Sequence, residues 1–217
     1  MPTPPKRKYD SSRRKAQARQ TRFQIIEAAR HLFFSSGYAK TTIEMIAREA
    51  GVATETVYAT FGNKMSILTK LVDVSIVGDD EPVPLLERPN IQATAQSATP
   101  QKMIEGFSND MYDIMQRMSP MFMLLRATAK SEPEIALLLD RILQDRVGGM
   151  RFFVKQLARL SPLRDGLSLE KAAETVWAIS SGEVFHLLTV DRNWTREQYV
   201  NWLADSLSRL LLPDIIQ

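Results

Sequence analysis

Apolar residues recur every three or four positions through almost all of this 217-residue chain, and that period constrains its fold more than any other feature. Ile26, Ala29, Leu32 and Phe33 share one stripe, and Ile43, Ile46, Ala47 and Ala50 share a second. Val57 and Phe61, one turn apart, begin a third. No apolar/polar alternation bounded by turn residues suggests a strand, so the chain is expected to be all-α.

Start and stop signals divide the period into pieces. Gly37 ends the first helix. Thr41 with Glu44 three residues on reads as a capping box for the second, which Gly51 ends. Asn63 caps a longer helix through Met65, Leu68, Leu71 and Val72. Four prolines fall between Gly78 and Pro100, marking an irregular connection with a short helical piece near Asn90. Further helices are expected over about 101–117, 119–130, 133–160, 168–190 and 196–212, with Pro120 as a break. Ser168 opens one of these, and Thr195 with Gln198 forms a capping box for the last. The expected total is about nine helices.

Charge divides the chain at the same place. Residues 1–72 hold 13 Lys/Arg against 5 Asp/Glu, whereas residues 73–217 hold 15 against 20. A basic end on an acidic body suggests a polyanion met by one end only, although a charge run alone also reads as a solubilising tail. The absence of cysteine excludes disulfides and thiolate metal sites and fits a cytoplasmic location. No apolar run approaches the roughly 18 residues of a membrane span, and no apolar stretch follows the basic N-terminus to make a secretory signal. The two histidines, His31 and His186, read as packing or surface residues. With no phosphate loop, metal-ligand spacing or nucleophile motif, neither enzyme chemistry nor a metal or cofactor is expected.

The two short helices around Gly51-Val52 form a helix-turn-helix candidate over about 42–61. A second helix that enters a DNA major groove about 12 Å wide needs slender outward residues, and Thr54, Glu55, Thr56, Ala59 and Thr60 qualify. Only Val57 and Phe61 are then needed inside.

The stretch "IIEAARHLFFSSGYAKTTIEMIAREAGVATETVYATFGNKMSIL", Ile25 to Leu68, resembles the DNA-binding domain of TetR-family transcriptional regulators. The resemblance covers about a fifth of the chain at many fixed spacings. It implies a three-helix helix-turn-helix domain at 19–78 behind a flexible basic arm at 1–18. After a connection at 79–100, it implies a ligand-binding and dimerisation domain at 101–217. It places Thr42, Tyr58 and Lys64 on phosphates and Thr54, Glu55 and Thr56 on base edges. Arg13, Arg14, Lys15, Arg19 and Arg22 would add backbone or minor-groove contacts. Other readings stay open: Lys64 as merely solvated, and Glu55 as serving the helix dipole. Where the family often has a capping Ser, this chain has Ala53, so Thr54 could take over the cap and leave base reading.

In the body, Met111, Met115 and Met118 share a stripe with Phe107 and Phe122. This reads either as simple core or, by the resemblance, as the wall of a chamber for a small apolar effector, with Trp177, Phe152 and Phe153 as further candidates. The last two long helices present Tyr199, Trp202, Leu203, Leu207, Leu210 and Leu211 beside the small residues Ala178 to Gly182. They either close their own core or, as the resemblance implies, pair with a second copy. The implied function is a homodimeric, effector-released repressor of a palindromic operator. The alternative is a helical partner- or ligand-binding protein whose head binds DNA without specificity.

Overall fold

The computed structural model describes residues 11–213 and divides the chain into two compact units after Leu71. Among the described residues there are helices and turns and no strand. The helices of the first unit are α1 (Ser11–Ser36), α2 (Ile43–Ala50), α3 (Thr54–Phe61) and the start of α4 (Lys64–Val77). After a 3₁₀ turn at Leu85–Glu87 come α5 (Pro89–Ala95), α6 (Pro100–Ala129), α7 (Pro133–Leu160), α8 (Leu169–Ile179) and α9 (Gly182–His186). A π turn at Leu187–Asp191 and α10 (Arg196–Leu211) complete the second unit. If α8, α9 and the π turn count as one broken helix, nine helices result among the described residues.

The first unit closes on Ile25, Ile26, Ala29, Phe33, Ile46, Val57, Ile67 and Leu68, each at most 1% exposed. Helix α1 begins earlier than expected. Residues 11–18, assigned from sequence to a flexible arm, are its first turns, because Arg, Lys, Ala and Gln are all good helix formers. Residues 1–10 of that arm lie outside the described residues. The capping box expected at Thr41 also moves. Thr42 is the N-cap of α2, with its hydroxyl accepting from the Met45 amide at 3.3 Å. Thr41 is buried, and its hydroxyl donates to the Gly37 carbonyl at 2.9 Å.

The second unit packs α6 against α7, α9 and α10, and α7 against α8. Pro120 does not break the helix as expected; it lies inside the continuous α6. Met115, Met118, Met121, Phe122 and Leu125 are all buried, on both sides of it. Burying this stripe outweighs the roughly 3 kcal/mol an interior proline costs. The real break comes where one helix over 168–190 was expected. Ser180 is fully buried and Ser181 caps a new start, its hydroxyl accepting from the Val184 amide. Hydroxyls that can cap make such a Ser-Ser-Gly stretch a place to restart a helix. The caps at Asn63 and Ser168 and the full capping box of Thr195 and Gln198 form as expected. Arg117 on α6 donates to the Ser75 and Ile76 carbonyls at 2.9 and 3.1 Å, satisfying the open end of α4.

Candidate functional site

The turn between α2 and α3 follows from Gly51. Its φ of 68° is left-handed, where a Cβ is costly. In that conformation Gly51 donates to Arg48 O and Val52 donates to Ala47 O, a Schellman closure that ends α2 in one residue.

Helix α3 then starts at Thr54 with Ala53 in the N-cap position and no side-chain cap. Thr54 does not take over the cap; the Ala53 carbonyl simply receives the Thr56 amide at 3.0 Å. Val57 is the only residue α3 buries. Glu55, Tyr58 and Ala59 are exposed and Thr54, Thr56 and Thr60 half-buried, so an almost uncharged, slender face looks outward. Phe61 is half-buried beneath the Arg22 guanidinium, 5.1 Å from its ring centroid. Arg13 and Arg14 are exposed on α1.

Thr42 is exposed at the start of α2, and the backbone and the Thr42 hydroxyl both hold the Glu44 carboxyl below its ordinary pKa. Lys64 has an internal task. Its Nζ donates to the Tyr38 carbonyl at 2.8 Å and the Thr41 carbonyl at 2.9 Å, and lies 4.1 Å from the centroid of the Tyr38 ring. It is therefore not merely solvated. It ties the start of α4 to the connection between α1 and α2, so any phosphate contact would be additional. His31 pairs with Glu49 at 2.5 Å, joining α1 to α2.

In the body, the structure separates the candidate chamber residues. Met115 and Met118 are packed core, each at most 2% exposed. Phe107 stacks on Phe153 at 3.9 Å, and with Met111 lines only a narrow apolar slot of about 70 Å³. Phe122 and Trp177 meet in a different cavity of about 210 Å³. Its walls are Phe122 and Arg126 of α6, Leu143 and Arg146 of α7, Trp177 of α8 and Glu183 of α9. Gly182 lets the start of α9 approach α6, since a Cβ there would meet the Phe122 ring at 3.1 Å.

Arg146 is the residue that reading by residue type missed. One of its terminal nitrogens, Nη2, donates to the Trp177 carbonyl at 2.8 Å and to Ser180 Oγ at 2.9 Å, bridging the helix break. Burial pushes its pKa down to about 10, so it remains a cation at neutral pH. The signal was present in the spacing: Leu138, Ile142, Met150 and Val154 are buried at four-residue intervals on α7, and Arg146 occupies the missing step. A charge on an apolar stripe is the anomaly to look for.

Among the described residues, no group of acidic or histidine side chains could hold a metal ion, and no helix is long and apolar enough to cross a membrane. The folded pieces thus define an all-helical protein with an N-terminal helix-turn-helix. Residues 25–71 match the model for bacterial regulatory proteins of the tetR family. Over 61 residues the chain is 44% identical to the HTH-type transcriptional regulator TtgR of Pseudomonas putida, covering 28% of this chain and 29% of that protein. It is 55% identical over 47 residues to the regulator HbdR of an Aromatoleum species, covering 22% of this chain and 20% of HbdR. The matches therefore span less than a third of these relatives' length. The fold itself extends further. FadR of Bacillus subtilis in complex with stearoyl-CoA superposes with a TM-score of 0.67 at 20% identity, over 85% of this chain and 96% of FadR. A SmeT–triclosan complex gives 0.65 at 21% identity, over 91% and 94%. Residues 25–71 are thus similar to the helix-turn-helix of the tetR family, and the whole chain shares the fold of these solved structures.

Proposed function

We propose that this protein is a ligand-responsive transcriptional regulator. It acts as a repressor, binding a palindromic operator as a homodimer through its last two long helices and leaving it when a small, largely apolar effector enters the body. The observation that carries this reading is the outward face of α3: an eight-residue helix that buries only Val57 and leaves Glu55, Tyr58 and Ala59 exposed, within the stretch that matches the family. A helix so little used by its own core is suited to another molecule's groove.

In this reading the half-buried Thr54 and Thr56 and the exposed Glu55 read base edges, while Thr42 and Tyr58 meet phosphates. Arg13 and Arg14 extend the contact along α1. The effector acts by preferring the form of the dimer that is unfit for DNA, and weakens operator binding by the same factor that DNA weakens effector binding. Selecting bound sites from a random duplex pool tests the reading. The expected result is a two-fold symmetric consensus, in which Thr56→Val alters preference at one base position by about 1–3 kcal/mol. Equally tight binding to every duplex would instead leave a helical binding protein with a non-specific head.

A further inference from the structure

We infer that the cavity between α6, α7 and the α8–α9 break takes a compact organic acid, with its carboxylate facing Arg146 and its apolar part against Phe122 and Leu143. This deepens the proposal that the body binds an effector, and rests on it.

Three observations point the same way. The first is a half-buried charge with no direct ion pair. Among the described residues no carboxylate pairs with Arg146: the acid on the same wall, Glu183, is bonded to Arg126 at 2.6 Å. Glu183 acts on Arg146 from a distance and the Trp177 ring faces it, but neither is bonded to it as a counter-ion, and an anion brought to a partly desolvated cation recovers part of its desolvation cost. The second is a pair of unspent donors. Arg146 Nε and Trp177 Nε1 are both sealed from water and lack a hydrogen-bond acceptor, although both residues line the cavity. Buried donors are nearly always partnered, so two on residues around one cavity point to a missing acceptor. The third is shape and lining. About 210 Å³ falls below the roughly 300–1,000 Å³ of pockets for drug-sized ligands, which selects a small molecule. Phe122 and Leu143 give that molecule an apolar surface, and the three charged side chains around it sum to one positive charge.

A structural role alone does not account for these features. Joining α7 to the helix break uses the Nη2 nitrogen of Arg146, and leaves Nε unsatisfied. A polar uncharged residue could make the same bridge without burying a charge.

Calorimetry on the full chain without DNA tests the inference. The probes are benzoate, 3-phenylpropanoate and hexanoate, each beside its primary amide. At least one acid should saturate the protein and bind about tenfold tighter than its amide, the range of a charge-assisted hydrogen bond. Arg146→Gln should abolish that preference and Arg146→Lys should keep part of it. Equal affinity for acid and amide, an unchanged preference in Arg146→Gln, or failure of every acid to bind would overturn it. Should Arg146→Gln fold poorly, Leu143→Phe narrows the cavity without touching charge. It should abolish acid binding at an unchanged melting temperature, and acid binding at wild-type strength there would also overturn the inference. Because no DNA is present, a negative result leaves operator recognition standing. A failed operator selection likewise leaves acid binding standing.

Discussion

Helices α2 and α3 are both eight residues long and follow one another through a single turn, yet they are held by different means. Helix α2 has a side-chain cap at Thr42, an acid in its first turn, a Schellman closure and three buried residues. Helix α3 has no side-chain cap and one buried residue. The contrast separates a helix that belongs to its own core from one whose outward face that core hardly uses. Isolated helices of this length are marginal in water, so α3 depends on its single anchor and on the rigidity of α2 beside it.

The largest effect should come from removing that anchor. Val57→Ala should cost about 2–3 kcal/mol in a urea melt, because α3 has no second buried side chain to share the loss. A cost below that of a surface change would mean that α3 is held from elsewhere. Next is Lys64→Met, which keeps the stem and strips the ammonium from two carbonyls ahead of α2. It should cost about 1.5–2 kcal/mol in the same measurement, at any salt concentration. Thr42→Ala should cost about 1 kcal/mol by removing the cap of α2. The reverse change, Ala53→Ser, supplies α3 with the cap it lacks. It should raise stability by about 0.5–1 kcal/mol, measured as a higher melting temperature. The smallest effect concerns acid. The folded pKa of Glu44 lies below its ordinary value of 4.5, so its contribution is complete above that value and is lost as pH falls through the folded pKa. In Glu44→Gln this part of the acid sensitivity should disappear from a pH series of melts.

Where each residue's role is local, the sequence could be read directly. Thr195 and Gln198 needed only each other to form a capping box, and Gly51 needed only its own backbone to end α2. Roles that depend on distant neighbours were hidden. Thr41 and Thr42 are adjacent and chemically alike. Which of them caps was decided by where the end of α1 delivers the Gly37 carbonyl. Pro120 looked like a break because an interior proline costs a helix, whereas the partners that make the stripe around it worth burying lie elsewhere in the chain. The methionine stripe was ambiguous because core and chamber use the same residues; only packing shows Met115 and Met118 closed over. The outward face of α3 was legible because what marks it is a shortage of apolar residues, and that can be counted along one helix.

The placement of the indoles has one more consequence. All three tryptophans of the chain, Trp177, Trp194 and Trp202, lie after residue 72, while the aromatic side chains of the helix-turn-helix unit are phenylalanines and tyrosines. Light at the red edge of the ultraviolet band therefore excites the body alone and leaves the head dark. Trp194 and Trp202 sit edge to face with ring centroids 6.1 Å apart, near Tyr199, whereas Trp177 stands against the Arg146 cation. The emitting groups are thus a contacting pair beside and on α10 and a single indole on the cavity wall. The protein has a built-in optical label on the half of the molecule that would sense an effector.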